Sequence, residues 1–340
     1  MIVSLGVMSA YSSLGDRSLN LDFTACLLLS CLSTKSKFKD LTLLTKVLHQ
    51  MNIVYRGFTA EQLQAQYSAR DAVPEHAEIF KRWQVSSAVY RTEANALLDL
   101  AYGISHREKL DLFLPAAPAS KPPLFLFIHG GYWQAMDKSF SSFIARELVK
   151  QGAAVAVVNY DLCPAVTLEV IIEQIRRAVV WLGRHAGEYG IDSQHLHLCG
   201  HSAGGQLIAM LVATDWKSMQ TDFDNGVIRS ALSISGVFDL EPLIHTTINS
   251  ALSLDLQSAH RHSPLRMQPC LKIPLLLTVG GDEPAEFHRQ SEDLARSWAG
   301  FGVPTRFESH ANLNHFTMID QLAKPGSPLL ERALALMGLA

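Results

Sequence analysis

His195-Leu196-His197-Leu198-Cys199-Gly200-His201-Ser202-Ala203-Gly204-Gly205 sets a short apolar run against a serine flanked by glycines, and a helical pattern continues over residues 203–213. The run over residues 195–199 predicts a buried strand, and the change of period after it predicts a strand-to-helix turn with Ser202 at its apex. A serine at such a turn needs small neighbours, because the backbone must bend sharply to expose the hydroxyl, and Gly200 and Gly204 supply that room. The N-terminus of the helix that follows favours negative charge developing beside it. A G-x-S-x-G pattern alone also fits an ordinary glycine-rich turn. The strand before it and the helix after it favour a nucleophile.

Outward from this turn the chain alternates between apolar runs and amphipathic helices. Strands are expected at residues 124–128, 153–158, 230–234, 275–279 and 305–309, and helices near residues 138–150, 168–185, 284–299 and 328–337. Such alternation predicts an α/β fold with a mostly parallel sheet and helices on both faces. Two further strands, residues 96–102 and 110–114, are separated by a polar turn and predict an antiparallel N-terminal edge. Residues 59–83 read as one or two short helices broken at Pro74, with a Thr59-to-Gln62 capping arrangement in front. Residues 1–50 are rich in Ser, Thr and Leu without a sustained period, and a start at Met51 instead of Met1 would account for the change in character. The expected organisation is an N-terminal extension over 1–50, a helical segment packed on the core over 51–95, and an α/β catalytic domain over 96–340.

Composition narrows the function. With 48% hydrophobic and 18% charged residues in 340, the chain can bury a large core. A net charge of −3 and no run of Lys or Arg exclude an electrostatic footprint for nucleic acid or an anionic membrane. The five cysteines, Cys26, Cys31, Cys163, Cys199 and Cys270, are scattered without zinc-type pairs, which fits a reducing cytoplasm. Leu28-Leu29-Ser30-Cys31 has the form of a lipoprotein cleavage box but lacks the charged leader and full apolar region of such signals. Neither an HExxH run nor a His/Asp ligand cluster is present, so no metal or other cofactor is expected. The expected partner is a small-molecule substrate, with a homodimer left open.

Three further signals carry chemistry. His129-Gly130-Gly131-Tyr132-Trp133 directly follows the apolar run 124–128. Its glycines let backbone N–H groups of Gly130 and Gly131 turn inward, where with the N–H of Ala203 they could hold an oxyanion. His129 is expected to brace this loop, and Tyr132 and Trp133 either wall a flat substrate or pack beneath the loop. Where a nucleophilic serine works in the chain order Ser, acid, His, the histidine follows the last strand, and His315 in Asn312-Leu313-Asn314-His315-Phe316 fits that place. The acid is less determined, since Gly280-Gly281-Asp282-Glu283 offers two adjacent carboxylates. Counting from Gly280 favours Glu283, with Asp282 next and Asp239 third.

With these motifs in hand the chain resembles the arylformamidase, or kynurenine formamidase, branch of the α/β hydrolases over most of residues 51–315. The resemblance rests on HGGYW at 129–133 and the serine turn at 200–204. It extends to Ser235-Gly236-Val237-Phe238-Asp239-Leu240-Glu241-Pro242, Ser263-Pro264, Glu286-Phe287-His288-Arg289-Gln290-Ser291, Asn314-His315-Phe316 and Gln66-Tyr67-Ser68-Ala69-Arg70. It implies the α/β-hydrolase fold and hydrolysis of an N-formyl aryl amide such as N-formylkynurenine by Ser202, His315 and an acid. The chain departs from the animal members in placing Asp282-Glu283 where those have a His-Asp pair, which puts a glutamate at the acid position. A short-chain carboxylesterase uses the same residues on esters, and a noncatalytic hydrolase-like binding protein is the alternative from another class.

Overall fold

The computed structural model describes residues 52–116, 120–219 and 223–340; the expectations for residues 1–50, for a start at Met51 and for the box ending at Cys31 lie outside the described residues. A short hairpin, β1 (Ile53–Tyr55) and β2 (Phe58–Thr59), opens the described part. An eight-stranded sheet follows, built from β3 (Ala96–Ala101), β4 (Lys109–Phe113), β5 (Leu124–Ile128), β6 (Ala154–Val158), β7 (Leu196–His201), β8 (Ile228–Ile234), β9 (Leu275–Gly280) and β10 (Thr305–His310). Its order is β10-β9-β8-β7-β5-β6-β4-β3. The contacts of β3 with β4 and of β4 with β6 are antiparallel, and the rest are parallel.

The continuous apolar runs become central strands because both of their faces are covered. Leu124, Leu126 and Ile128 of β5 join one core cluster, while Phe125 and Phe127 join the other on the opposite face, as the two-residue period of a strand requires. The helix Leu168–His185 buries Leu168, Ile171, Ile172, Ile175, Ala178, Val179 and Leu182, a stripe at helical spacing, and Thr167 caps its start by accepting from the Val170 N–H. Register then brings the functional segments together. Ile128 pairs with Gly200 across β5 and β7, so the loop at His129 leaves the sheet beside the serine turn. Gly280 pairs with His310 across β9 and β10, so the segments carrying Glu283 and His315 leave the same edge.

Two expectations are corrected. The helix expected over 138–150 is two 3₁₀ turns, Lys138–Phe140 and Ser142–Ile144, followed by the helix Ala145–Lys150. The Phe143 N–H donates to Ser87 Oγ at 3.1 Å, so a tertiary contact takes a group that a continuous helix would use. The helices expected within 59–83 are Ala60–Tyr67, Ala69–Ala72 and His76–Glu93, the last running past Trp83. The first begins with the expected capping box, Thr59 and Gln62 bonding reciprocally. No helix among the described residues is long and apolar enough to cross a membrane.

One buried group inside the sheet makes stability depend on pH. His197 of β7 is 3% exposed, its Nδ1 lies 2.8 Å from Ser230 Oγ, and burial lowers its pKa to about 4. The unfolded chain binds this proton near pH 6.5, so between about pH 6.5 and 4 the unfolded state holds more protons than the folded one. The contribution of His197 is therefore complete above pH 6.5 and lost as pH falls toward 4. Urea midpoints measured from pH 7 to 4.5 should fall with acidification, and His197→Gln should flatten that slope; equal slopes in both proteins would remove His197 as a cause.

Candidate active site

Ser202 stands between β7 and the helix Ala203–Ala213 at φ 55°, ψ −118°, a backbone conformation that costs a non-glycine residue energy and that the surrounding hydrogen bonds must hold. Its N–H donates to Ile234 O at 2.8 Å. The small residues of the motif are needed because the helix packs directly onto the sheet. A Cβ on Gly204 would stand 2.1 Å from Ile128 O, and one on Gly200 2.1 Å from Gly204 O.

The structure brings His315 to Glu283, with Nδ1 2.7 Å from Oε2. Both side chains are buried, and the other carboxylate oxygen of Glu283 accepts from Ser235 Oγ at 2.5 Å and from the Gly280 N–H at 2.7 Å. Three donors thus fix the carboxylate in one orientation. His201 lies on the other side of the histidine, its Nε2 2.8 Å from His315 O, so that nitrogen carries a proton it donates to the carbonyl. Burial, with His315 adding to it, holds the His201 pKa well below the ordinary histidine range, so this ring stays neutral. The other two acid candidates are not brought to the histidine. Asp282 is exposed, and Asp239 accepts from Tyr55 OH at 2.7 Å.

Ser235 and His201 join the site although neither is assigned a role there from the sequence alone. Ser235 directly follows β8 as Ser202 directly follows β7, and it shares the positive φ, at 54°. A serine followed by glycine at a strand end was the available signal.

The His129 loop crosses in front of Ser202. His129 is buried, with its ring nitrogens 2.8 Å from Gly130 O and 3.1 Å from Asn159 Oδ1, and it stacks on Tyr160 at 4.3 Å. A Cβ on Gly130 would stand 2.9 Å from Ser202 Cβ, so this residue lies against the serine, and Ala203 begins the helix directly after it. Gly131 adopts φ 108°, where a Cβ would meet Ala135 O at 2.3 Å. Gly131→Val should therefore displace the loop and lower kcat by about 10²–10³-fold, the loss of one oxyanion donor. Unchanged kcat in a folded Gly131→Val protein would remove the loop from the chemistry.

Tyr132 and Trp133 separate. Tyr132 lines the cavity, and its OH donates to Tyr67 O at 2.7 Å. Trp133 does not reach the cavity and is corrected to a core residue: it is fully buried, and its indole N–H donates to Gln206 Oε1 at 3.2 Å. Successive residues at φ 48° and 57° turn the two rings in different directions.

The cavity in front of Ser202 has a volume of about 420 Å³ and is also lined by His315, Gly130, Gly131, Phe80, Trp83 and Phe316. The N-terminal helical segment supplies much of this wall and is tied down by a buried polar network. Tyr67 OH donates to Glu286 Oε2 at 2.8 Å and accepts from Gln290 Nε2 at 2.6 Å, and Arg289 bridges to Glu286 at 2.6 Å. Glu286, Arg289 and Gln290 belong to the helix Ala285–Gly300, which starts two residues after Glu283.

A mostly parallel eight-stranded sheet of this order, with a serine on a strained strand-to-helix turn and a histidine bonded to an acid at the same edge, defines a hydrolase of the α/β-hydrolase fold. The family model BD-FAE matches residues 110–263. The kynurenine formamidase of Danio rerio is 32% identical over 84% of this chain and 98% of its own length, and that of Salmo salar 34% identical over 83% and 95%. Among solved structures, esterase B of Lactobacillus rhamnosis superposes with a TM-score of 0.63 at 21% identity, covering 78% of this chain and 96% of its own, a likeness of fold. On the identity and coverage of these relatives the chain belongs to the kynurenine formamidase family.

Proposed function

We propose that the protein hydrolyses an N-formyl aryl amide, N-formylkynurenine being the foremost candidate, to formate and the free aromatic amine, with Ser202 as nucleophile, His315 as general base and Glu283 as the acid. The observation that carries this reading is the meeting of Ser202 and His315 in one cavity whose wall is aromatic, with Glu283 held on the far nitrogen of the imidazole. Ser202 Oγ attacks the formyl carbon while His315 Nε2 accepts its proton, and the Nδ1–H donates to Glu283, which stabilises the imidazolium. The oxyanion is received by N–H groups from Gly130, Gly131 and Ala203. Collapse returns the proton to the leaving aryl amine, and water activated by His315 then releases formate from the serine.

A formyl group has no acyl chain, so little space is required on that side of the nucleophile, where Gly130 lies close against Ser202. The aryl group requires a flat apolar wall, which Tyr132, Phe80, Trp83 and Phe316 provide. The cytoplasm is the proposed location, in keeping with the free thiols of Cys163, Cys199 and Cys270. Steady-state assays with N-formylkynurenine and p-nitrophenyl acetate test the assignment. A kcat/KM for the formamide at least equal to that for the ester is expected, and turnover of the ester alone would assign a carboxylesterase.

A further inference from the structure

Beyond the aromatic wall and the triad, the cavity lining has an asymmetry of charge. Among the described residues that line it there is one permanent cation, Arg70, and no Asp or Glu. Arg70 follows Ala69 at the start of the short helix Ala69–Ala72, lines the cavity and is exposed, so the residue stands at the solvent-facing edge of the cavity. It lies over the Phe80 ring at 5.7 Å, a contact that orients the guanidinium along the aromatic wall. The neighbouring carboxylate is otherwise engaged, since Asp71 accepts from the Ser68 hydroxyl, and among the described residues no acid forms an ion pair with Arg70.

We propose that Arg70 is a specificity-determining residue that binds a carboxylate carried by the substrate on the side remote from the scissile amide. This rests on the reading of the cavity as an aryl formamide site and adds to it the residue that receives a carboxylate borne by the substrate's side chain. The planar guanidinium fork matches a carboxylate with two parallel hydrogen bonds, and at a cavity mouth it selects the charged substrate without touching the reacting atoms. With no acid among the described lining residues, the substrate's carboxylate, and not an ammonium beside it, is the recognised group.

The test compares three formamides: N-formylkynurenine, its analogue without the amino group that keeps the carboxylate, and 2-formamidoacetophenone, which has neither. Wild-type enzyme should favour both carboxylates over the neutral compound. In Arg70→Gln the ratio of kcat/KM for carboxylate over neutral substrate should fall at least about tenfold, mainly through KM, the effect of losing a charge-assisted hydrogen bond. Arg70→Lys should recover part of the ratio, with circular dichroism establishing that both variants are folded. A ratio unchanged in Arg70→Gln would overturn the proposal, as would wild-type selectivity that follows the ammonium. If no formamide is turned over, the formamidase reading fails separately, and phenyl acetates with and without a carboxylate on the aryl side chain test Arg70 through the same ratio.

Discussion

Ser202→Ala should lower kcat by on the order of 10⁶-fold, leaving only the residual catalysis that an oxyanion hole and substrate binding provide. The size of the effect follows from the site. Ser202 is held at positive φ by a turn whose glycines admit no side chain, and it lines the same cavity as His315. Among the described residues the two other histidines lining the cavity are engaged elsewhere, His129 with Asn159 and His201 with the His315 carbonyl. Alanine at 202 removes one oxygen and adds no bulk, so the fold should be retained with an unchanged thermal midpoint. A folded Ser202→Ala protein with near-normal turnover would show that the reaction does not pass through this serine.

The second large effect separates two neighbouring carboxylates. Glu283→Gln preserves the shape of the side chain but takes away the charge facing His315 Nδ1 at 2.7 Å. The amide could also present its NH₂ to that nitrogen and so favour the wrong tautomer. Activity should fall by on the order of 10⁴-fold, as when a triad carboxylate becomes its amide. Asp282→Asn should have little effect, because Asp282 is exposed and its charge acts on the site only through screened solvent. The comparison requires kcat for both variants on one substrate. A crippled Asp282→Asn with an active Glu283→Gln would contradict the observed pairing.

Much of this was legible in the sequence where local pattern and tertiary demand agree. The helix at Leu168–His185 is amphipathic with a capping Thr167, and the strand, glycine and serine order around Ser202 permits one local geometry. Legibility failed where a distant partner decides. The helix His76–Glu93 buries a narrow stripe of Ile79, Trp83, Ser87 and Tyr90 while exposing Val85 and Val89, so its apolar residues do not mark one face. Trp133 sits next to a cavity residue, and only Gln206, on the helix after Ser202, reveals that its indole belongs to the core. The acid could be narrowed by counting from Gly280, but the direction of Glu283 is set by Ser235 and the Gly280 N–H. Arg70 closes the segment 66–70 that shares in the resemblance, but its place at the cavity is not legible there, because it depends on Tyr67 anchoring to Glu286 and Gln290 far along the chain.

The most direct measurement is the site of modification by a fluorophosphonate, in which serine oxygen displaces fluoride from phosphorus to give a stable adduct. Mass spectrometry of digested protein should place a single adduct on the peptide carrying Ser202. Labelling should be slowed by N-formylkynurenine, strongly reduced in Glu283→Gln and absent in Ser202→Ala. An adduct on another residue, or folded wild-type protein that takes up no label, would contradict Ser202 as the nucleophile activated by His315 and Glu283.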